Sequence, residues 1–339
     1  MNDRYSRHER FAPIGKTGQE KRRGSHVLIV GAGALGSAIA EMLVRAGTGN
    51  ITIVDRDYVE WSNLQRQQLY SEKDAEERLP KAVAAARRLA EINSEVQVNG
   101  LVMDVTAADI GDLLPGKDLI LDATDNFDVR MLMNDAAQKY RIPWIYGACV
   151  GSYGITMNII PGETPCLHCL METIPAGGPT CDTAGIIAPA VQIVAAHQTA
   201  EALKFLVGDY QALRRKLLSF DLWNNLTAAI DVSGAKKDDC PSCGRRPSYP
   251  FLQAERQMKT AVLCGRDTVQ IRPPAPMRRP LAEVEKMLAA QGKQVERNPY
   301  LVSFNDGPHR IVLFADGRAL VHGTKETAVA RSLYHRYFG

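Results

Sequence analysis

Short apolar runs, many of them rich in β-branched residues, alternate with longer amphipathic segments along most of the chain. Runs of this length are typical of buried strands, and segments with apolar residues three and four apart are typical of helices. Strands that alternate with helices form a parallel sheet covered by helices on both faces. The pattern therefore predicts an α/β fold with a doubly wound sheet. The predicted strands are residues 26–30, 50–54, 96–102, 118–122, 144–147, 155–160 and 217–222.

The predicted helices lie between these strands. Residues 31–36 turn the chain from the first strand into a helix that carries Ile39 and Leu43, and a long Ala-rich helix follows Pro80. Further helices are predicted at residues 128–140 and 188–206. The polar opening segment, residues 1–23, is also predicted to be helical.

A second, smaller unit is predicted after residue 250, because residues 245–250 are polar and contain proline. Beyond this point, residues 311–314 and 319–322 flank Asp316-Gly317, a turn pair that favours a β-hairpin, and residues 324–337 form a final helical pattern. We therefore expect a domain of residues 1–250 and a small C-terminal α+β module of residues 251–339. The sequence indicates no role for this module.

Composition and charge exclude several classes of protein. The 339 residues are 45% hydrophobic and 23% charged, with a formal net charge of +3, which is the balance of an ordinary globular protein. No block of Lys and Arg indicates nucleic acid or a membrane surface as a partner. The opening segment lacks the apolar core of a secretory signal, and no apolar run approaches the ~20 residues of a membrane span. We expect a cytoplasmic protein.

A glycine-rich loop, Gly31-Ala-Gly33-Ala-Leu-Gly36, follows the first predicted strand and opens the next helix. Glycines at this spacing allow a tight turn and a close approach of backbone N–H groups to phosphate. Asp55, at the end of the second strand, is placed to bind ribose hydroxyls. The loop predicts nucleotide binding in a Rossmann-like fold but does not say which nucleotide. A nicotinamide-dependent oxidoreductase is therefore one alternative.

Further polar residues favour ATP over NAD. They are Asn63 and Arg66 shortly after Asp55, Lys81 at the start of the Ala-rich helix, and Asp125 after a predicted strand. Cations and a carboxylate at this edge of the sheet suit a triphosphate with Mg²⁺, because they neutralise charge on the transferred phosphate. Taken alone, each has an ordinary alternative: Arg66 and Lys81 as solvated cations, and Asp125 as a turn or helix cap.

Four of the seven cysteines form two C-x-x-C pairs, Cys166-Leu-His-Cys169 and Cys240-Pro-Ser-Cys243. In a chain without an export signal, such pairs favour a metal site over a disulfide framework. Four thiolates with no open position predict a structural zinc site. Free thiols or redox pairs are the alternative.

The order and spacing of these elements resemble the ThiF/MoeB family, the bacterial relatives of ubiquitin-activating enzymes. The resemblance covers roughly residues 4–244. Its motifs are Arg4-Tyr-Ser-Arg7, the glycine loop, Asp55, Ser62-Asn-Leu-Gln-Arg66-Gln67, Pro80-Lys81, Thr124-Asp125-Asn126, the cysteine pairs and the segment from Thr180 to Pro189. There are two departures. Arg78 stands where the family usually has glycine, and the module after residue 250 is absent from the shortest members.

The resemblance implies roles for the matched residues. The glycine loop would line the nucleotide phosphates, Asp55 would hold the ribose and Asp125 would hold Mg²⁺. Arg66 and Lys81 would bind the triphosphate and stabilise the departing pyrophosphate. Arg7 would enter the nucleotide site of the partner subunit in a homodimer. The alternative is that Arg7 is an ordinary exposed arginine on an N-terminal helix. The nucleotide-binding residues would be Gly31, Gly33, Gly36, Asp55, Asn63, Arg66, Lys81, Asp125 and Asn126, and the zinc ligands Cys166, Cys169, Cys240 and Cys243.

The reaction implied by the resemblance is attack of a carboxylate on the α-phosphate of ATP, which gives an acyl-adenylate and pyrophosphate. The carboxylate would be the C-terminal glycine of a small ubiquitin-fold sulfur-carrier protein that ends in Gly-Gly. A sulfur-donor protein would be a further partner, and Cys181 would join covalently to the carrier in ThiF-type chemistry. The alternative is that Cys181 is an inert loop residue.

Two other functions stay open on the sequence. A nicotinamide oxidoreductase would leave Arg66, Lys81 and Asp125 without a role. A zinc-stabilised scaffold could bind a ubiquitin-like partner without catalysis. The resemblance also leaves open whether the carrier serves thiamine thiazole synthesis or molybdopterin synthesis.

Overall fold

The computed structural model describes residues 3–171, 184–253, 259–262, 267–273, 275, 277 and 279–338. Two compact units contain these residues. The described part of the first unit is residues 3–76, 80–171 and 184–253, and that of the second is residues 77–79 together with those after 258. Strands and helices are numbered below in chain order.

The first unit contains an eight-stranded sheet with the strand order β3-β2-β1-β4-β5-β6-β7-β8. Neighbouring strands from β3 across to β5 run parallel, and the remaining strands are antiparallel. The strands are β1 His26–Val30, β2 Asn50–Asp55, β3 Gln97–Val102, β4 Leu119–Asp122, β5 Trp144–Val150, β6 Tyr153–Ile159, β7 Leu217–Asp221 and β8 Leu226–Ile230.

Helices cover both faces of the parallel part of this sheet. Helix α3 lies between α5 and α9 on one face, and α6, α7 and α8 pack on the other. The described helices are α1 Ser6–Arg10, α2 Gly15–Arg23, α3 Ala34–Ala46, α4 Glu72–Glu76, α5 Lys81–Ile92, α6 Ile110–Leu113, α7 Phe127–Tyr140, α8 Leu167–Leu170 and α9 Ala188–Val207. Short 3₁₀ helices occur at Trp61–Asn63, Tyr210–Ala212, Ser233–Ala235 and Pro250–Leu252.

Burial along the strands follows their place in the sheet. The central strands β1 and β4 are almost wholly apolar and buried, as expected for parallel strands that are covered on both faces. Strand β8 lies at the sheet edge, and all five of its residues are exposed. The described helices include none that is both long and apolar enough to cross a membrane.

The second unit contains a six-stranded antiparallel sheet with the order β11-β12-β13-β14-β10-β9. Two helices pack against it, and their apolar residues share one core with the inner strands. Gly317 has a φ of +87°, which permits the turn between β13 and β14. The elements are β9 Lys259–Val262, β10 Thr268–Arg272, α10 Leu281–Ala290, β11 Val295–Arg297, β12 Leu301–Asp306, β13 His309–Phe314, β14 Ala319–His322 and α11 Thr327–Phe338.

The predicted fold class is confirmed, with differences in detail. The polar opening segment forms α1 and α2 rather than one helix, because Pro13 lacks an N–H group and disfavours helical geometry at the preceding residue. Strand β8 was not predicted, and neither were strands β9 to β12 or helix α10 of the second unit.

Candidate nucleotide and metal sites

The strand order reverses direction between β1 and β4, which are neighbours in the sheet although two strands separate them in the chain. Open α/β sheets bind ligands in the crevice that such a reversal leaves at the carboxyl ends of the strands. The glycine loop follows β1, and Thr124-Asp125-Asn126 follows β4. The two loops that the sequence analysis singled out therefore meet at this crevice.

The glycines of the loop differ in what surrounds them. Gly31 has a φ of +101°, and a Cβ on Gly36 would lie 1.9 Å from the carbonyl oxygen of Gly31. These two glycines are required by the backbone itself. A Cβ on Gly33 would meet only Nε2 of Gln67, at 3.9 Å, so this position faces open space where a ligand can approach the backbone.

The different surroundings of Gly33 and Gly36 give a prediction that distinguishes an effect on ATP binding from an effect on stability. Gly33→Ala is expected to change the free energy of unfolding by less than about 1 kcal/mol but to weaken ATP binding at least about tenfold, since the new methyl group occupies the approach to the loop. Gly36→Ala, the matched control, is expected to destabilise the protein by about 2 kcal/mol or more. Urea unfolding and calorimetric titration measure the two effects. Unchanged ATP affinity in Gly33→Ala would contradict the assignment.

Asp55 ends β2 and fixes the shape of the glycine loop. Its carboxylate accepts hydrogen bonds from the N–H of Ala32 at 2.6 Å and from the N–H of Asp57 at 2.7 Å. Burial raises the pKa of Asp55, and the carboxylate of Asp57 raises it further while Lys81 opposes the change. Asp55 is therefore held beside the loop, where the sequence predicts that it binds ribose.

Lys81 is the first residue of α5, and its side chain is only 5% exposed. Its Nζ atom lies 3.9 Å from Oδ2 of Asp57. The solvated-cation alternative is therefore wrong for Lys81. Arg66 is partly buried, and its Nη1 atom donates to the carbonyl oxygen of Ser62 at 2.8 Å.

Two buried carboxamides beside the glycine loop have unused polar atoms. Asn63 is fully buried, and its Oδ1 accepts the N–H of Glu60 at 3.0 Å. Within the described residues, Nδ2 of Asn63 and Oε1 of Gln67 have no hydrogen-bond partner. Buried polar atoms are nearly always hydrogen-bonded in folded proteins, so this pair suits a polar ligand such as a nucleotide.

The loop after β4 is held by a fully buried carboxylate, Asp122, which accepts the Thr124 N–H at 2.9 Å and the Thr124 hydroxyl at 2.8 Å. Burial raises the pKa of Asp122, although Arg130, with Nε at 3.3 Å, opposes this. Arg130 also donates to the carbonyl oxygen of Thr124 at 2.5 Å. These contacts leave Asp125 exposed. The carboxamide of Asn126 caps α7, where it accepts two backbone N–H groups of the first turn.

An exposed carboxylate at such a crevice fits Mg²⁺, which prefers oxygen ligands. Asp125 offers this ligand in the structure. The residues predicted to bind a nucleotide therefore offer four kinds of group: open backbone at Gly33, a cation at Lys81, two carboxamides with unpaired atoms and an exposed carboxylate at Asp125.

Cys166, Cys169, Cys240 and Cys243 form one cluster, whose sulfur atoms all lie within 4.8 Å of one another. Individual sulfur pairs are 3.8, 3.7 and 3.3 Å apart. A tetrahedron with zinc about 2.3 Å from each sulfur has edges of about 3.8 Å, so the donor set and its size both fit zinc. The thiols share their protons unequally: a hydrogen bond from Cys166 lowers the pKa of Cys243 to about 5, the same bond and burial raise the pKa of Cys166, and burial raises that of Cys169 to about 11.

Both cysteine loops are tied to α7. Nδ1 of His168 lies 3.0 Å from the Ser242 hydroxyl, so His168 is engaged outside the sulfur cluster, as expected for a complete Cys₄ set. The hydroxyl of Ser242 donates to Asp135, which also accepts the N–H of Phe251 at 2.8 Å. These hydrogen bonds fix the two cysteine segments relative to each other.

Two of the predicted site residues are not found at this crevice. Arg7 lies away from it, and Cys181 is outside the described residues. Arg7 is exposed on α1. The buried Tyr5 anchors that helix, because its hydroxyl donates to Glu95 at 3.2 Å and accepts from Asn93 at 2.9 Å.

A family model described as the ThiF family matches residues 5–242. The chain belongs to the ThiF family. The matched range contains the glycine loop, Asp125 and the whole sulfur cluster apart from Cys243.

Curated members of the ThiF family align with this chain over most of its length. The sulfur carrier protein ThiS adenylyltransferase of Bacillus subtilis (strain 168) is 55% identical over 339 residues, which are 100% of both chains. The Escherichia coli K12 protein of the same name is 34% identical over 74% of this chain and 100% of its own length. The molybdopterin-synthase adenylyltransferase of Escherichia coli K12 is 35% identical over 71% of this chain and 96% of its own.

A solved structure shows the same fold. A crystal structure of Escherichia coli MccB with ATP superposes with a TM-score of 0.63 at 24% identity, over 72% of this chain and 74% of that chain. At this identity the likeness concerns the fold alone, which agrees with the α/β sheet described above.

The motifs of the ThiF family did not reveal every residue that shapes the crevice. Arg56 lies near Asp57, Asp104 and Asp125. Burial lowers the pKa of Arg56, but these carboxylates outweigh it and the pKa is raised. Gln198 is fully buried, and its amide donates to the carbonyl oxygens of Asp122 at 2.8 Å and Ile145 at 3.0 Å, where the pairing of β4 with β5 ends. The spacing of Asp55 and Asp57 was the one signal in the sequence that could have pointed to this acidic cluster.

Proposed function

We propose that this chain adenylylates the C-terminal glycine of a ubiquitin-fold sulfur-carrier protein, using ATP. The chain is an adenylyltransferase of the ThiF family. The observation that carries the proposal is a chain of neighbouring groups around the crevice between β1 and β4. Asp55 accepts the Ala32 N–H of the glycine loop and lies near Lys81, and Arg56 lies near both Asp55 and Asp125. This combination leaves the nicotinamide alternative without an explanation for the cation and the carboxylate.

The proposed reaction needs no general base, because a C-terminal carboxylate is already ionised at neutral pH. One of its oxygens attacks the α-phosphorus of ATP, the bond to the bridging oxygen of pyrophosphate breaks, and an acyl-adenylate remains. The role of the protein is to align the carboxylate with the phosphate and to neutralise charge. Lys81 and Arg66 would stabilise the departing pyrophosphate, and Asp55 would hold the ribose.

Asp125 would hold Mg²⁺, and Asn63 would contact the nucleotide through its unpaired Nδ2 atom. When bound, Mg²⁺ supplies positive charge beside the phosphate oxygens. Asn126 is a weaker candidate for nucleotide binding, because its Oδ1 atom already caps α7 and only its Nδ2 atom is left for a ligand. The four clustered cysteines would hold a structural zinc ion, as their geometry permits.

The thiamine branch is the more strongly supported of the two pathways. The relative named as a ThiS adenylyltransferase in Bacillus subtilis aligns over the whole chain, including the C-terminal unit, at 55% identity. The molybdopterin-synthase relative aligns over 71% of the chain at 35% identity. We therefore propose a ThiS-like carrier ending in Gly-Gly as the partner.

The test is carrier-dependent exchange of labelled pyrophosphate into ATP. The purified enzyme is incubated with a carrier for thiamine thiazole synthesis and, separately, with a carrier for molybdopterin synthesis. We expect the thiamine carrier to support exchange at least about tenfold faster, because the relative that aligns over the whole chain is named for ThiS. A tenfold difference corresponds to about 1.4 kcal/mol. Binding of a carrier without any exchange would instead support the inactive scaffold, and Cys181 chemistry would then have no adenylate to act on.

A second prediction concerns the proposed homodimer. Arg7 is exposed on α1 and is proposed to act in the nucleotide site of a partner subunit. Chains carrying Arg7→Ala and Asp125→Ala are each expected to be inactive alone. Mixed together, they are expected to recover about a quarter of the wild-type activity, because half of the dimers are mixed and each has one intact site. No recovery, with subunit exchange verified by mass spectrometry, would place Arg7 in its own subunit's site.

A further inference from the structure

Tyr70 lies buried between the glycine loop and α5, and none of the motifs above contains it. Its hydroxyl donates to the carbonyl oxygen of Ala32 at 2.5 Å and lies 3.2 Å from the carbonyl oxygen of Lys81. One side chain therefore contacts the backbone of two segments that are proposed to bind the triphosphate. The two segments are far apart in the chain, and Tyr70 joins them in space.

The contact with Ala32 determines where the next N–H group points. The carbonyl of Ala32 and the N–H of Gly33 belong to the same peptide plane, and in a trans peptide they point in opposite directions. The Tyr70 hydroxyl holds the carbonyl, so the N–H of Gly33 points away from Tyr70. The N–H of Ala32 itself is held by Asp55 at 2.6 Å. Both peptide groups that flank Ala32 are thus fixed by side chains.

The contact with Lys81 fixes the first turn of α5. The N–H of Lys81 donates to the carbonyl oxygen of Asp57 at 2.9 Å, and its carbonyl faces Tyr70. The backbone of Lys81 is therefore held on both sides, and its buried side chain starts from a fixed position. Burial raises the pKa of Tyr70, and the neighbouring carboxylates of Asp55 and Asp74 raise it further, so the hydroxyl keeps its proton.

We propose that Tyr70 is a positioning residue that orients the Gly33 N–H and the Lys81 ammonium group for the phosphates of ATP. It contacts neither ATP nor the carrier itself. The inference rests on the proposed function only in placing the phosphates beside Gly33 and Lys81. It is independent of which carrier is adenylylated.

The test compares ATP with adenosine in direct binding to the full-length Tyr70→Phe variant, without any carrier. Phenylalanine keeps the ring and removes only the hydroxyl. We expect ATP affinity to fall about tenfold, the scale of losing one oriented hydrogen bond, and adenosine affinity to stay unchanged. The effect is specific to phosphate because the groups that Tyr70 orients face the phosphates and not the base.

Tyr334→Phe is the matched control. Tyr334 is also buried, and its hydroxyl donates to a backbone carbonyl, that of Gly317, at 3.0 Å within the second unit. We expect similar losses of stability in urea for the two variants and a loss of ATP affinity in Tyr70→Phe alone. Unchanged ATP affinity in Tyr70→Phe, or an equal loss for ATP and adenosine, would overturn the inference. Either result would leave the carrier assay, and hence the proposed function, untouched.

Discussion

Asp125→Ala is expected to abolish carrier-dependent pyrophosphate exchange while the protein stays folded. Asp125 is exposed, and the loop that carries it is held by Asp122 and Arg130 instead. Its removal therefore deletes the proposed Mg²⁺ ligand without touching the core. Loss of one preorganised electrostatic group typically lowers kcat by about 10²–10³-fold, and the loss of a metal ligand is expected to reach at least that range.

Asp128→Ala provides the matched control, since Asp128 is an exposed carboxylate three residues further along, in the first turn of α7. This variant should exchange pyrophosphate within about twofold of the wild type, because surface substitutions away from a site have small effects. Circular dichroism and thermal unfolding verify folding in both variants. Normal exchange in Asp125→Ala would remove Asp125 from the mechanism.

Cys240→Ser is expected to have the largest effect on stability. Cys240 and Cys166 come from segments that are 74 residues apart in the chain, and their sulfur atoms lie 3.7 Å apart. Metal binding by such a cluster is part of the folding free energy. We expect the wild type to hold one zinc ion per chain, and the variant to lose it together with about 3 kcal/mol or more of unfolding free energy.

Atomic absorption on untagged protein measures the zinc content, and thermal unfolding with and without a chelator measures its contribution to stability. Cys149→Ser is the control, because Cys149 lies on β5 outside the sulfur cluster. It should keep the zinc. A zinc-free wild type that is stable and insensitive to the chelator would mean that the cluster consists of free thiols.

The sequence predicted the parallel part of the sheet well because its strands are short, apolar and separated by helices. Strand β8 escaped prediction for the opposite reason: Leu226–Ile230 is an exposed edge strand that contributes no buried residue. Its pairing with β7 is visible only once the chain is folded. The break between α1 and α2 could have been anticipated from Pro13.

The sequence also predicted only some of the residues of the candidate site. Residues in spaced motifs, such as Lys81 and Asp125, could be found from the sequence because their order is distinctive. Residues that hold those motifs in place could not, because Tyr70 and Gln198 act through contacts with carbonyl groups 38 and 76 positions away. Nothing in local composition marks such contacts. Arg78 is an intermediate case: the family usually has glycine there, and Arg78 adopts a φ of +48°, the left-handed region that glycine favours.

The side-chain amide of Gln198 joins β4 to β5. It also restricts which residues can occupy position 147. A Cβ on Gly147 would lie 2.4 Å from the carboxamide of Gln198, so a side chain at position 147 would displace this carboxamide from the carbonyl oxygens of Asp122 and Ile145. The two positions are therefore expected to change together among relatives. A relative with a larger residue at 147 should carry a shorter one at 198. In that relative another hydrogen-bond donor would be needed where the pairing of β4 with β5 ends.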